Sequence, residues 1–439
     1  REATAANLEM AAQSRAVAAG RQQVREARAR LLPQLELTAT GVLLEEDLAS
    51  VIQAERTVDG GASLTQALYA EPAWAAWASQ KHLQRRREAE LQQLRLDVAQ
   101  AAATAYLNVL RAKTAERVQR QNLELTRSNL ELARVRREIG ISGPAEVYRW
   151  ESQIATARIG VIDANAARNQ AEINLNRVLH RPAEESFETQ QTGLFDDDLV
   201  THDKRFIRFL DNKAAFRVFR DYMVKDGLAS TADLIGIDAA IAASERGLLS
   251  AQRSRWLPSF GLRGEVNNHF SREGAGAASP APGGDASWNI GVSAVLPLYS
   301  GGAKFAAATR AAQELAQLQL QRQAIAEAVE ARIRVALHGA GASYAGISLA
   351  EDAALAAAQN LELVEDAYGR GVVSILALLD AQNASILAAQ GAANSVFDFL
   401  VDLMEVERAI GKFYCFAEAD QREAWFRRAN NYIDNRLEE

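Results

Sequence analysis

The side chains that could support metal, nucleophilic or acid–base chemistry are few in this chain and widely separated. The serines lack the Gly-x-Ser-x-Gly pattern of a nucleophile, and no Gly-Lys-Ser/Thr phosphate loop is present. The histidines match no metal-ligand spacing, and they lie at His82, His180, His202, His269 and His338. The sequence therefore predicts no enzyme, no catalytic residues, no metal site and no cofactor.

Two other short stretches of the sequence could suggest a binding site, but each has a plain structural explanation. Asp196, Asp197 and Asp198 could attract a cation, but a solvated acidic loop is the favoured interpretation. Gly274 and Gly276 lie in a loop rich in Gly, Ala and Pro, where chain flexibility is the natural explanation. Neither run indicates a binding site.

Composition and charge exclude several classes of protein. The chain has 439 residues and a net charge of −7, and binding nucleic acid would need clustered Lys and Arg, so no nucleic-acid partner is expected. Cys415 is the only cysteine, so no disulfide can form within the chain. No run of about 18 apolar residues occurs, which predicts no membrane-spanning helix. The chain starts at Arg1 without Met or an apolar leader, and we expect a mature or trimmed product.

The longest elements must position whatever function the chain has. Two stretches without internal proline, at about 72–138 and about 302–368, repeat apolar residues at spacings of three and four. At 1.5 Å per residue each helix would be about 100 Å long, far beyond an ordinary globular helix. Alanine occupies several faces of both stretches, which favours helices packed side by side into a tube over an isolated coiled coil.

An internal repeat organises the chain. The segment around Pro33 returns around Pro258, and the turn at Gly140 returns at Gly371, at similar offsets. Each copy follows the order helix, two strands, long helix, glycine turn, helix. We predict a first repeat at 1–180, an insertion at 181–227, a second repeat at 228–410 and a C-terminal segment at 411–439.

Four short segments alternate between apolar and polar residues, and they lie at about 34–44, 62–70, 259–268 and 287–297. Alternation over about 10 residues is typical of membrane β-strands, although an ordinary half-buried sheet gives the same pattern. The stretches 45–61 and 271–285 are predicted to be long external loops. Four strands cannot close a membrane barrel, so the membrane interpretation requires several copies of the chain.

Two motifs carry a resemblance to a known family. The run from Trp288 to Gly302 is similar to the strand-to-helix signature of the TolC family of outer-membrane efflux and secretion channels. The run from Tyr368 to Gln382 resembles the second periplasmic hairpin tip of that family. The resemblance implies a mainly α fold with a small β part, in which a homotrimer forms a 12-stranded β-barrel that continues into a 12-helix tunnel. The insertion and the C-terminal segment would then form an equatorial belt.

The same resemblance implies a function. The chain would be the exit duct of a tripartite efflux pump or a type I secretion system, placed in the outer membrane of a Gram-negative bacterium and extending into the periplasm. A periplasmic adaptor, an inner-membrane transporter and outer-membrane lipid would be its partners. The alternative is a soluble periplasmic coiled-coil adaptor or structural protein, although adaptors normally carry one helical hairpin rather than a duplicated unit with strands.

Particular residues receive roles from the resemblance. The adaptor would contact two hairpin tips, made of Gly140, Ile141 and Ser142 in the first repeat and of Gly371, Val372 and Val373 in the second. Glu146, Tyr368 and Asp380 would line the gate, where three copies of Asp380 would form a ring of carboxylates. A carboxylate at a helix start, such as Glu146, is also favourable because of the helix dipole alone.

The chain departs from the family pattern at several positions. The first strand-to-helix turn reads Tyr69-Ala70-Glu71-Pro72 instead of Gly-Gly, and the first tip contains Gly143-Pro144. Ala377 replaces a second acidic residue in the second tip. Val373 replaces the basic residue that often follows the tip tyrosine, so the interhelix bridge of the family's gate has no matching partner at that position.

Overall fold

The computed structural model of the chain describes residues 2–50, 52–190, 204–278, 286–414 and 417–438. The acidic run at 196–198, His202 and Cys415 lie outside these ranges. Within them the fold is mainly helical with one small antiparallel sheet, as the sequence predicted.

The first part of the chain forms four helices and two strands. In order they are α1 (Glu2–Ala6), α2 (Leu8–Ala29), β1 (Gln34–Leu43), β2 (Arg56–Tyr69), α3 (Glu71–Glu138) and α4 (Pro144–Val178). The second part contributes α5 (Lys204–Asp211), α6 (Lys213–Ser230), α7 (Ala232–Arg253), β3 (Ser259–Glu273), β4 (Ala286–Val295), α8 (Ala303–Gly369), α9 (Ile375–Ala409) and α10 (Ala419–Glu438). The long helices α3 and α8 have 68 and 67 residues.

Both long helices end in the same hydrogen-bonded turn. Gly140 and Gly371 have φ of +81° and +78°, in the left-handed region that glycine adopts without a Cβ clash. The next residue in each case donates its N–H back to a carbonyl five residues earlier, Ile141 to Arg136 at 2.9 Å and Val372 to Ala367 at 2.9 Å. This is a Schellman cap. Each cap leads directly into the following helix, α4 or α9.

The sheet has the strand order β1-β2-β3-β4 with antiparallel pairs throughout. The register places the apolar residues of the four strands on one face, for example Leu37 opposite Ala62 and Leu262 opposite Val292. The other face carries polar residues such as Glu36 and Asn289. If one strand slipped by one residue against its neighbour, its apolar side chains would move to the polar face. The alternation therefore fixes the register.

The two inner strands are longer than predicted. β2 begins at Arg56 rather than at about 62, and β3 continues to Glu273 rather than ending at about 268. Gly60 and Gly61 indicated a loop in the sequence, but both lie in the β2–β3 ladder, where a Cβ on Gly60 would come within 2.2 Å of the Phe270 ring. These glycines allow close approach of a cross-strand side chain rather than a turn.

The loop after β3 is also more specific than the sequence indicated. Gly274 and Gly276 both have φ of +80°. A Cβ on Gly276 would lie 2.4 Å from the backbone oxygen of Ser50, and the N–H of Ala275 donates to Glu55 at 3.1 Å. The flexibility expected for these glycines is therefore wrong, since both are required where two loops pack together.

The unusual strand-to-helix turn at the start of α3 has a structural explanation. Glu71 is buried at the first position of α3 and accepts a hydrogen bond from Arg246 of α7 at 2.7 Å. It also accepts one from the hydroxyl of Tyr69 at 3.1 Å. The residue that replaces a small glycine turn thus connects the first repeat to α7 through a buried ion pair.

The described residues divide into two compact units that are not consecutive in sequence. One unit contains Ser14–Glu90 and Ile235–Ala324, and it includes the sheet. The other contains Arg1–Gln13, Leu91–Leu234 and Ile325–Glu439. The boundaries fall inside α3 and α8, so each long helix contributes to both units.

The second unit holds the largest core. Aromatic side chains of the insertion and of the C-terminal segment meet in it, among them Phe219 and Trp425, whose rings are 6.3 Å apart. Ile333 of α8 and Leu400 of α9 are fully buried in the same cluster. The insertion and the C-terminal segment, which are distant in sequence, therefore share one core with parts of α8 and α9.

The expectation of no helix apolar enough to cross a membrane needs a correction. By length and composition alone α9 passes that test, with a window of mean hydropathy 1.3, and the bent pair α6–α7 passes it jointly. Core helices of soluble proteins pass the same test, and α9 buries Phe399, Leu400 and Leu403 against the core. Composition alone therefore does not place α9 in a membrane.

Replacing Gly227 by Ala should destabilise the core. A Cβ on Gly227 would lie 2.4 Å from Cδ1 of Ile333, which is fully buried, and 3.4 Å from the backbone Cα of Ile410. Overpacking of this kind costs about 1–3 kcal/mol. We expect urea unfolding of the detergent-solubilised protein to show this loss.

Gly391 provides the matched control, since it lies in α9 with nothing within 4 Å of an added Cβ. Gly391→Ala should leave the free energy of unfolding unchanged or raise it by about 0.5–1 kcal/mol. Equal effects of the two substitutions would contradict the packing assigned to Gly227.

Candidate functional site

The two hairpin tips meet in one apolar cluster, which we call the tip cluster. It joins the end of α3, the start of α4, the end of α8 and the start of α9, and its buried members are Leu130, Ala133, Val147, Trp150, Ile154, Tyr368 and Leu378. Because these residues come from both repeats, the cluster holds the second-repeat hairpin against the first.

A polar group is embedded in this cluster. Tyr368 is almost fully buried, and its hydroxyl donates a hydrogen bond to the carboxylate of Glu146. The same hydroxyl accepts one from the indole Nε1 of Trp150 at 3.3 Å. The tip tyrosine of the second repeat is thus bound by two side chains of α4, and a hydrogen bond from a hydroxyl to a carboxylate is of the strong, charge-assisted kind.

Arg136 of α3 completes the group. Its guanidinium donates to the backbone oxygen of Tyr368, and its Cζ lies 4.5 Å from the centre of the Tyr368 ring. Its Nε is 3.7 Å from the carboxylate of Glu146, and both side chains are mostly buried. One cation therefore contacts the tyrosine and its carboxylate partner together, which neutralises the charge of Glu146 inside the cluster.

Burial and the neighbouring carboxylate of Glu146 raise the pKa of Tyr368 to about 12. The hydroxyl therefore keeps its proton across the physiological range and remains a donor. Glu365, one turn earlier on α8, has its pKa raised by burial and by the nearby Glu362. The arrangement is a set of polar contacts that joins α3, α4 and α8.

The structure thus brings Glu146 and Tyr368 together but leaves Asp380 apart from them. Asp380 is exposed on α9 and makes no hydrogen bond or ion pair with any described residue. Arg136 and Trp150 were missed by the sequence analysis. Two features of the sequence could have indicated them. Trp150 lies four residues after Glu146, which puts both on one face of α4, and Arg136 lies in the last turn of α3.

The predicted docking residues divide into two groups. Ile141 and Val372 are 58% and 74% exposed at the extremes of the two Schellman turns. Val373 instead packs against the tip cluster, and Ser142 is half-buried with its N–H bonded to the oxygen of Arg136 at 3.2 Å. Exposed apolar side chains also flank the turns, at Ile139, Tyr148 and Leu376.

The sheet presents a second surface without a covering layer. On its apolar face Leu37, Trp288 and Ile290 are 79%, 75% and 68% exposed. β1 and β4 are exposed along almost their whole length on both faces. Within the part of the chain that the structure describes, the sheet is thus not half-buried against a layer of helices or strands. In the described part of the chain no group of three or more His, Cys, Asp or Glu could hold a metal ion.

Comparison with known proteins agrees with these features. The pattern of the family described as "Outer membrane efflux protein" matches residues 1–180 and 229–411. The outer membrane protein TolC of Vibrio cholerae serotype O1 is 25% identical over 88% of this chain and 84% of its own length.

Two solved structures share the fold. A membrane protein from Pseudomonas aeruginosa superposes with a TM-score of 0.76 at 18% identity, covering 93% of this chain and 91% of that one. The outer membrane protein VceC of Vibrio cholerae gives 0.75 at 16% identity, covering 94% and 95%.

The family match covers most of the chain and includes both repeats with their strands, which a soluble adaptor with one hairpin would not provide. The chain belongs to the outer membrane efflux protein family, the TolC-like transport channels of the Gram-negative outer membrane, and extends from that membrane into the periplasm.

Proposed function

We propose that three copies of this chain form one exit duct, with a 12-stranded barrel in the outer membrane that continues into a 12-helix periplasmic tunnel. The observation that carries this proposal is the four-stranded sheet, whose outer strands β1 and β4 each have no neighbour on one side among the residues that the structure describes. Unpaired backbone groups cannot stay in lipid, because each costs several kcal/mol there. Pairing of β4 with β1 of another copy removes both open edges.

The apolar sheet face supports the same assembly. It would face lipid, while the polar face with Glu36 and Asn289 would line the lumen. The insertion and the C-terminal segment pack on each other through the core around Phe219 and Trp425, which supports an equatorial belt built from both.

The duct would serve a tripartite efflux pump or a type I secretion system, with a periplasmic adaptor and an inner-membrane transporter as partners. The adaptor would contact the tips around Gly140, Ile141, Gly371 and Val372, where apolar side chains are exposed. The contacts of Tyr368 with Glu146 and Arg136 would hold the mouth closed, and Asp380 would add a ring of carboxylates to it. A ring of one charge sign attracts cations to a narrow passage.

Native mass spectrometry in detergent should give a trimer. Val292→Arg, on the apolar face of β4, should lower the yield of membrane-inserted trimer because an arginine facing lipid costs about 2–4 kcal/mol at mid-membrane. Ser293→Arg is the matched control on the polar face, opposite Gly261, and should preserve the trimer. A stable monomer that conducts ions, or equal effects of both substitutions, would contradict the assembly.

Tyr368→Phe should weaken the closed state. It removes the hydroxyl that contacts Glu146 and Trp150 but keeps the ring beneath Arg136. A hydrogen bond to a charged group contributes about 1.5–3 kcal/mol, so the ratio of open to closed channels in planar bilayers should rise about tenfold or more.

Tyr148→Phe is the control for that substitution, since Tyr148 lies on the same helix with its side chain exposed. Its conductance should match the unmodified protein. If Tyr368→Phe also leaves the open fraction unchanged, the contact has no part in gating.

Ile141→Asp or Val372→Glu should abolish export without reducing trimer yield, because a charge replaces an exposed apolar contact at a tip. Export is measured as restored drug resistance in a bacterium that lacks its own outer-membrane channel. Ile162→Asp is the matched control, 66% exposed on α4 and 21 residues beyond Ile141. Full export by the tip variants would limit Ile141 and Val372 to a role in the turns.

A further inference from the structure

A second set of buried polar side chains connects the two repeats beyond the tip cluster. Gln382 of α9 is 1% exposed and donates both hydrogens of its amide to α3, to Oδ1 of Asn122 at 2.8 Å and to Oγ1 of Thr126 at 2.8 Å. Thr126 in turn donates to the backbone oxygen of Asn122 at 2.8 Å. We call these three side chains the polar layer.

Stability alone does not explain the polar layer. The amide oxygen of Gln382 is buried without a hydrogen-bond partner among the described residues, and so is Nδ2 of Asn129, one turn from Thr126. A buried network with such unmet groups is no more stable than apolar side chains of the same shape. Its attested use in helical assemblies is to fix which residues face each other.

The polar layer permits one register of α9 against α3. If α9 moved along α3 by one helical turn, Gln382 could keep at most one of its two acceptors, because Asn122 and Thr126 are themselves one turn apart on α3. A buried polar group left without a partner destabilises the shifted arrangement, because it has lost its water without gaining a hydrogen bond. The apolar residues beside it, Leu378 and Ala381, impose no such restriction, because apolar contacts are not directional.

The same contact sets the rotation of α9. Leu378 and Gln382 are four residues apart, so both lie on the helix face that is buried against the first repeat. Asp380 is midway between them, about 200° around the helix at 3.6 residues per turn. Its carboxylate therefore points away from the buried face, and the direction in which it points follows from the contacts of Gln382.

We propose that Gln382 is a positioning residue of the gate, which acts through Asp380. Its bonds to Asn122 and Thr126 hold α9 in one register and rotation, so that release of the tip contacts lets the second-repeat hairpin pivot at the polar layer instead of sliding along α3. The proposal rests on the gate role given to Asp380 under Proposed function.

The first test measures block by a multivalent cation. Asp380→Asn, which removes the charge, provides the reference: it should lower cation selectivity and weaken block by hexaamminecobalt(III) in planar bilayers. Gln382→Leu keeps Asp380 but removes both donors, and it should raise the blocking concentration about fivefold or more, the lower end of a typical coupling between sites. If Asp380→Asn weakens block but the Gln382→Leu channel is blocked like the unmodified one, the proposal is overturned.

A triple variant separates positioning from stability. Asn122→Leu, Thr126→Val and Gln382→Leu together leave none of the three polar groups unpaired, so the free energy of unfolding should return to the parent value or exceed it. Block should stay weak, since nothing fixes the register. If the triple variant recovers both the cation block and the free energy of unfolding of the parent, the polar layer contributes only to packing. Ile333→Val, a mildly destabilising core substitution, controls for general destabilisation, and the cation should block this variant as strongly as it blocks the unmodified channel.

The second test does not depend on conduction. Spin labels at Ser128→Cys on α3 and Asp380→Cys on α9, in a chain with Cys415→Ser, report the distance between the two helices. The distance distribution should be narrow in this background and broaden when Gln382→Leu is added. An unchanged width would overturn the positioning role, even in a protein that forms no channel. If Asp380→Asn leaves block unaltered while the width does broaden, Gln382 positions α9 and the gate assignment of Asp380 is what fails.

Discussion

Backbone hydrogen bonding in lipid is the constraint on which the rest of this structure depends. A bilayer offers no water to an unpaired N–H or C=O group, so a sheet within it must have no free edge. The described residues of one chain supply four strands, leave one edge of β1 and one of β4 unpaired, and put no layer over the apolar face of the sheet. The assembly that we propose meets this constraint, with lipid on the apolar face and strands of other copies at the two edges.

The long helices are stabilised in a different way. Two helices of nearly 70 residues cannot be stabilised by local propensity alone, and each is held by packing against elements of the other repeat. The core around Phe219, Ile333 and Trp425 does this in the middle of the helices, and the tip cluster does it at the turns. Polar contacts are added where the repeats meet near the tips, at Arg136 with Glu146 and Tyr368 and at Gln382 with Asn122. Such contacts are directional, so they define discrete arrangements of the helices.

Several features were readable from the sequence because they depend on local chemistry. Long proline-free stretches specified α3 and α8, glycine specified the two left-handed turns, and period-two alternation located all four strands. Strand ends were less predictable. Gly60 and Gly61 favour a loop in sequence terms, but they occupy a ladder position in which only a small residue fits beside Phe270 and Asn267. Whether these glycines lie in a strand or in a loop depends on the residues opposite them on the neighbouring strand. The local sequence does not specify which residues those are.

The amino-acid sequence by itself thus indicated the long helices, the four strands, the two glycine turns and the family. Tertiary structure decided which polar side chains act together. Tyr368 meets Glu146 across 222 residues, and Gln382 meets Asn122 across 260. Sequence reasoning named Glu146 and Tyr368 through a family resemblance, but it missed Arg136, Trp150 and Gln382, which look like ordinary helix residues. The physical reason is that burial gives these groups their importance, and burial depends on how α4 and α9 pack against α3 and α8, which the helical periodicity of each segment alone does not specify.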